Sequence, residues 1–441
     1  MLFTDRQLRK LIFPLVIEQI LNVAMGMADT IMVASCGEAA VSGISLVDSF
    51  SILLIGLFGA MAAGGSVVVA QFIGRGDKGQ VAEASNQLFL SVTALSVALM
   101  LFSVALNRQI ISVVFGSLEP DVMESAMIYL YISAISYPFL AFYNSAAALF
   151  RSVGNSKISM YISLAANLLN IGGNALLIFG FGLGVLGAAL STLASRVVAA
   201  AIIAVLLVRR SELPVRWGLR WNKRMIQKIL YIGVPNGLEN SIFQLGKLLL
   251  SGLTATFGTV AIAANAVAST VCALETIPAN AIGIAMITVV GQCVGAREYD
   301  QGRKYIGKLM KTTYIYLVAL NITIIALLGP ICSMYNLSPQ TAGLARWLMM
   351  IHSIFCVVLH PTSFCMANGL RAANDVRFTM FVAIASMWIC RIVMAYILAR
   401  GFGLGLKGIW IAMILDWFVR SCFFLWRILS GRWLRYAGRN A

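Results

Sequence analysis

Residues 67–77 read VVVAQFIGRGD, and residues 287–297 read ITVVGQCVGAR. Both are apolar runs closed by Gln, Gly and a basic residue, and Gln71 and Gly74 fall on Gln292 and Gly295 at an offset of about 220 residues. The same offset brings other stretches into register. Pro14 and Glu18 fall on Pro235 and Glu239, both written P-x-x-x-E. ALFRSVGNSKISM, with Arg151, falls on GLRAANDVRFTM, with Arg371, and FGFGLGVLGAAL falls on RGFGLGLKGIWI, matching Gly187 to Gly408. Ordered matches at one offset mark an internal duplication.

What is duplicated follows from composition. The chain has 441 residues, 60% hydrophobic and 11% charged, with a mean hydropathy of +0.88. Soluble domains carry about 25% charged residues, and a soluble globule could not hide this much apolar side chain. A cytosolic enzyme, a disordered chain and a disulfide scaffold are excluded, leaving an integral membrane protein made of helices. Of the eight cysteines, most lie inside apolar segments without paired spacing, and they read as small packing residues.

Gly, Pro and charge divide the chain into twelve apolar stretches long enough to cross a bilayer: roughly 10–33, 44–72, 85–107, 125–149, 158–180, 185–208, 226–253, 260–293, 309–329, 343–369, 379–400 and 406–428. The first follows a basic N-terminus but carries Glu18 and Asp29 and lacks a small-residue cleavage site, so it reads as a retained span rather than a signal peptide. An even count places both termini on one side. The net charge of +16 sorts by loop: the terminal side holds Arg6, Arg9, Lys10, Arg75, Lys78, Arg151, Lys157 and the clusters 209–228 and 297–311, whereas the opposite side holds only Arg108, Arg346, Arg400 and Lys407. The excess therefore reads as topology rather than nucleic-acid binding, with both termini cytoplasmic in a cell inner membrane.

The expected fold is all-α, with twelve transmembrane helices in two six-helix lobes, 1–208 and 226–441, joined by a basic cytoplasmic linker at 209–225. An offset of six spans makes the repeats parallel, related by a pseudo-two-fold axis along the membrane normal, an arrangement of secondary transporters.

Ionisable residues inside spans are costly and mark function by default. Asp29 lies in an otherwise apolar span, eleven residues after Glu18 and so nearly on the same face about 16 Å along the axis. Asn170 and Asn174 share a face at i, i+4. Amides, a hydroxyl and a carboxylate make a hard-oxygen site suited to Na⁺, and the same carboxylate could carry a proton instead. Interhelical hydrogen bonding is the alternative role for the two asparagines. The second lobe has Leu250 where the first has Asp29, but carries Glu239, Lys247, Glu275, Arg391 and Asp416. Those are candidates either for buried ion pairs or for contact with substrate. His352 and His360 read as packing residues. Pro14 opens the helix bearing Asp29, where bending could link ion binding to opening. Arg75, Asp77, Arg151, Arg371, Asp375 and Arg377 at the cytoplasmic ends read as solvated topology determinants, with gating pairs between lobes as the alternative.

The chain resembles the multidrug and toxic compound extrusion (MATE) family, bacterial type, along its whole length. The residues carrying the likeness are MADTIMVASCGEAAVSG from Met27, VVAQFIGRGD, FRSVGNSK, NLLNIGGNALLIFG from Asn167, LGAALST and LRAANDVRF. The resemblance implies export of organic cations and other amphiphiles in exchange for H⁺ or Na⁺. It also implies a coupling-ion site of Asp29, Asn170, Asn174 and Thr192. Asn174 stands where some relatives have Asp, so this site has a single carboxylate, and the choice between H⁺ and Na⁺ stays open.

No loop has room for a catalytic domain, and there is no G-x-x-x-x-G-K-[ST] phosphate loop, so neither an enzyme nor an ATP-driven pump is expected. No cofactor, structural metal or nucleic-acid partner is expected, and the protein reads as a monomer in the lipid bilayer. The leading reading is a secondary active antiporter exporting amphiphilic, cationic compounds by alternating access. The alternative is a flippase for a lipid-linked precursor, which would need a basic cavity and commonly more than twelve spans.

Overall fold

The structure, a computed structural model, describes residues 2–116, 118–209, 213–215, 217–335 and 337–437. Arg210, Ser211, Glu212 and Arg216 of the expected linker, and Arg439 near the C-terminus, lie outside them. Among the described residues there is no strand. That follows from the sequence: in hydrocarbon each backbone N–H and C=O must be satisfied within its own segment, which a helix achieves and an open strand does not.

The chain forms two compact units, Asp5–Gly237 and Leu238–Ala441 with Met1–Thr4. The first lobe holds α1 (Asp5–Ala34), α2 (Glu38–Arg75), α3 (Lys78–Ala105), the short α4 (Asn107–Phe115), α5 (Pro120–Ile135), α6 (Tyr137–Ser152), α7 (Lys157–Asn174) and α8 (Gly184–Arg209). Helix α9 (Lys223–Ala255), with Pro235 inside it, runs from one unit into the other. The second lobe continues with α10 (Thr259–Glu275), α11 (Ile277–Gly295), α12 (Tyr299–Ala326), α13 (Leu328–Met334), α14 (Pro339–His360), α15 (Met366–Ala372), α16 (Val376–Ser386), α17 (Met394–Tyr396), α18 (Leu406–Leu429) and α19 (Leu434–Ala437). The N-terminal residues dock onto α12: Phe3 N–H donates to the Tyr305 hydroxyl at 2.7 Å, and that hydroxyl donates back to the Phe3 carbonyl at 2.7 Å.

Ten helices among the described residues are long and apolar enough to cross a membrane, or eleven when α5 and α6, bent by 46° at their junction, count as one span. The twelfth expected span is α9. It is long enough, but Asn236, Glu239, Asn240, Gln244 and Lys247 hold its hydropathy down. The expected span at 260–293 is two helices, α10 and α11, parted at Thr276 with Pro278 in the first turn of α11. Pro138 sits in the first turn of α6 at the other break. A proline there removes an N–H that the preceding helix would need, so each break falls where the chain can spare a donor.

The duplicated FGLG segments explain their own glycines. Gly182 and Gly184 have φ of +66° and +52°, and Gly403 and Gly405 have +69° and +55°, a region where side chains other than Gly are strained. Immediately after, Gly187 and Gly408 let α8 and α18 lie against the preceding span. A Cβ on Gly408 would come within 2.7 Å of the Ala399 nitrogen, and one on Gly187 within 3.0 Å of the Leu177 carbonyl carbon. Gly408→Ala should therefore destabilise by about 1–3 kcal/mol through overpacking. Gly56→Ala, with nothing within 4 Å, should be neutral or stabilising by up to about 1 kcal/mol from helix propensity. Thermal unfolding midpoints of the two variants, measured side by side, test the opposite signs.

Candidate functional site

In the first lobe the four expected ion-site residues are contiguous. Asn174 Nδ2 donates to Asp29 Oδ1 at 2.7 Å and lies 3.4 Å from Asn170 Oδ1. Asn170 Nδ2 in turn donates to the Thr192 hydroxyl at 3.3 Å, and the Ser191 hydroxyl donates to the Asn170 carbonyl at 2.7 Å. Asn170, Asn174 and Thr192 are buried, and Asp29 is half-buried. The Asn174 side-chain oxygen is buried without a hydrogen-bond partner, so it is an acceptor with nothing to accept. Asn174 also ends α7, and a π-helical segment, Ala175–Gly180, follows directly. Such local widenings of a helix are frequent at functional sites.

Two charged residues near this cluster were not singled out from the sequence. Asp48 on α2 lies close to Tyr129 and Arg196 and within electrostatic range of Asp29. Arg196 on α8 donates to the Ser136 hydroxyl at 2.6 Å. The signal that finds them is the one that finds Asp29, an ionisable residue within an apolar span. The first-lobe centre thus holds two carboxylates, Asp29 and Asp48, against one guanidinium.

The second lobe contains a cavity of about 510 Å³, within the size range of small-molecule sites. Phe243, Lys247 and Leu250 line it from α9, Ser269 and Cys272 from α10, His352 and His360 from α14, and Arg391, Trp410, Met413 and Trp417 from the last spans. Arg391 lies in a π-helical segment, Met387–Val393. His352 Nδ1 and Glu275 Oε2 are 2.5 Å apart, and the Ser353 hydroxyl donates to the other Glu275 oxygen at 2.7 Å. His360 stacks on Phe364 with ring centroids 4.5 Å apart. Cys272, Glu275 and His352 could offer three metal-ligating atoms within 4.8 Å of one another, a grouping that spacing did not suggest. Both Glu275 oxygens are, however, already engaged by His352 and Ser353. All eight cysteines are free thiols.

Glu18 and Glu239 are placed by ion pairs inside their own lobes. Arg151 Nη1 lies 3.2 Å from Glu18 Oε1, and the Ser159 hydroxyl donates to Glu18 Oε2 at 2.7 Å. Arg371 Nη2 lies 2.6 Å from Glu239 Oε1, with Arg371 Nη1 on Asn368 Oδ1 at 2.7 Å. The duplicated P-x-x-x-E and the duplicated arginine are therefore two halves of one interaction made once in each lobe. Arg151 and Arg371 are not solvated topology charges, because their side chains are only 16% and 14% exposed. Asp375, too, is buried and paired, with Arg427 Nε 2.6 Å from its Oδ2. Asp77 instead caps α3, accepting from the Gln80 N–H at 3.0 Å. Deep in the second lobe Asp416 accepts from Arg420 Nε at 2.8 Å and from the Ser386 hydroxyl at 2.6 Å, with Arg391 Nη1 at 3.6 Å.

A two-lobed, all-helical membrane protein with a polar centre in each lobe is the architecture of a transporter. The MatE family model matches residues 14–176 and again 235–397, two segments 221 residues apart at both ends. The chain belongs to the MatE family, whose members are transporters and not enzymes. It is 28% identical to the "Probable multidrug resistance protein NorM" of Thermotoga maritima over 443 residues, covering 98% of this chain and 94% of that protein. It is 27% identical to the "Uncharacterized transporter YisQ" of Bacillus subtilis, covering 96% and 94%. Its fold matches that of an outward-facing multidrug resistance MATE family transporter of the MOP superfamily, with a TM-score of 0.90 at 21% identity over 97% of this chain and 96% of that one.

Glu239→Gln leaves Arg371 charged and without its carboxylate in a site screened from water. It should destabilise the protein by about 1–3 kcal/mol. Pairing it with Arg371→Gln should recover part of that loss, and a double-mutant cycle on thermal stability reads the recovery directly.

Proposed function

We propose that the protein is a secondary active efflux antiporter of the cell inner membrane, exporting amphiphilic organic compounds against inward flow of H⁺ or Na⁺ by alternating access. The observation that carries this reading is the Asp29–Asn174–Asn170–Thr192 chain: one carboxylate inside a span, hydrogen-bonded through amides to a hydroxyl, with one amide oxygen left over. A charge in such a place is tolerable only when it is neutralised, and a bound cation or a proton does that. The oxygens of Asp29, Asn170, Asn174 and Thr192 are the ligands a Na⁺ ion would use, and Asp29 alone would carry a proton. Ion binding and release at Asp29 would then drive the cycle.

The names of the relatives support drug efflux: NorM of Thermotoga maritima is a probable multidrug resistance protein. The distribution of Lys and Arg supports cytoplasmic termini and a basic connection between lobes 1–208 and 226–441. The flippase reading is the weaker one: the second-lobe cavity does carry Lys247 and Arg391, but the chain offers twelve spans where a flippase would commonly have more.

Reconstituted in proteoliposomes, the wild-type protein should move a fluorescent amphiphile under an imposed H⁺ gradient or an imposed Na⁺ gradient. The one that works names the ion. Asp29→Asn should abolish gradient-driven transport. If Na⁺ is the one that works, Asn174→Ala, which removes a ligand oxygen and a hydrogen bond to a charged group worth about 1.5–3 kcal/mol, should weaken Na⁺ dependence roughly 10- to 100-fold. Transport by Asp29→Asn at the wild-type rate would sink the proposal.

A further inference from the structure

The second-lobe cavity is the first lobe's ion site written again with its charge inverted. At the 221-residue repeat, Asp29 corresponds to Leu250 and Asp48 to Ser269, so both carboxylates are gone. Gly26 corresponds to Lys247, and the span that corresponds to α7 carries Arg391, so two cations stand where the first lobe's site has none. Thr192 and Arg196 correspond to Met413 and Trp417, which make the floor apolar and aromatic. All six of these second-lobe residues line the same cavity. The duplicated place has thus kept its position in the fold and changed its chemistry.

The local charge does not balance. Asp416 is matched by Arg420 at 2.8 Å and is held by Ser386, while Arg391 reaches it only at 3.6 Å. Arg391 Nε is buried without a hydrogen-bond partner, as is Asp416 Oδ2, the oxygen that Arg391 faces. Lys247 has no carboxylate partner among the described residues. Its ammonium lies 5.0 Å from the centre of the Phe243 ring, and the Arg391 and Arg420 guanidiniums lie 5.2 and 5.6 Å from the same ring. Glu275 is already committed to His352 and Ser353. Three basic side chains, Lys247, Arg391 and Arg420, therefore face two carboxylates, and neither carboxylate meets Lys247. An uncompensated cation in a membrane-embedded cavity is costly, and a ligand that brings the missing negative charge relieves that cost.

We infer that this cavity binds the anionic head of an amphiphilic substrate, a carboxylate, sulfonate or phosphate, between Lys247 and Arg391. The apolar body lies against Phe243, Leu250, Met413 and Trp417. The inference deepens the exporter reading by naming a substrate class, and it replaces the cationic substrate expected from the family resemblance with an anionic one for this lobe. Lys247 supplies a mobile point charge and Arg391 a planar fork, a pair suited to tetrahedral or planar oxyanions. Phe243 holds the two cations close together through their attraction to its ring face.

The test uses the full protein in nanodiscs of zwitterionic lipid and two probes with one apolar body and opposite heads, naphthalene-2-sulfonate and a naphthyl-trimethylammonium salt. Equilibrium dialysis, with empty discs subtracted, gives the affinity of each. The sulfonate should bind more tightly than the ammonium. Lys247→Met should weaken the sulfonate by about tenfold or more while leaving the ammonium unchanged or tighter, and Lys247→Arg should retain sulfonate binding. Displacement by phenyl phosphate against farnesyl phosphate separates a compact amphiphile from a lipid head group as the source of the anion. Tighter binding of the ammonium, or sulfonate affinity within twofold of wild type in a folded Lys247→Met, would overturn the inference. Dialysis needs no ion gradient, so a failure here is distinct from a failure of gradient-driven transport.

Discussion

Every charge inside the hydrocarbon must find a partner, and most of this structure is the record of how each one does. Taking a charged group out of water costs several kcal/mol even after the protein relaxes around it. Glu18 and Glu239 meet that constraint with Arg151 and Arg371, in matching places of the two repeats. Asp375 meets it with Arg427, and Asp416 with Arg420. Once these pairs are set aside, two places remain among the described residues where the balance fails. In the first lobe it fails toward negative charge at Asp29 and Asp48, and in the second toward positive charge at Lys247 and Arg391.

Those two imbalances are where a transporter can act. A paired charge holds helices together and gives a ligand nothing to do. An unbalanced one makes the state with ligand and the state without it differ in free energy, and that difference is what a cycle requires. Of the four π-helical segments among the described residues, one follows Asn174 directly and one contains Arg391; the others are Pro361–Cys365 and Ile397–Gly401. The π turn at Ala175–Gly180 recurs in the second lobe at Ile397–Gly401, whereas those at Pro361–Cys365 and around Arg391 have no partner in the first lobe among the described residues. The two copies share a scaffold, and their charge differs where the second-lobe cavity faces Lys247 and Arg391.

Much of this was legible in the sequence because periodicity and charge survive without coordinates. The offset between Gln71 and Gln292, or Gly187 and Gly408, gave the repeat, and an isolated acid in an apolar run gave Asp29. The likeness to a known family added Asn170, Asn174 and Thr192, which the fold brings into one hydrogen-bonded chain. What sequence hid was partnership across helices. Arg151 looks like a loop charge until the fold places it beside a glutamate 133 positions earlier, and nothing local distinguishes it from Arg9. The breaks at Ser136 and Thr276 were hidden for a different reason: a proline in a helix's first turn is compatible with either a kinked span or two helices. Asp48 and Arg196 were visible as intramembrane charges but carried no pattern that joined them to Asp29.

The central claim is that one cation belongs to Asp29 and that the second-lobe cations belong to a different ligand. The most direct test counts cations on the purified protein in nanodiscs, by equilibrium binding of labelled Na⁺ together with proton uptake on the same sample. The account predicts one bound cation, H⁺ or Na⁺, that disappears in Asp29→Asn and remains in Lys247→Met. A cation retained by Asp29→Asn, or lost in Lys247→Met, would contradict it.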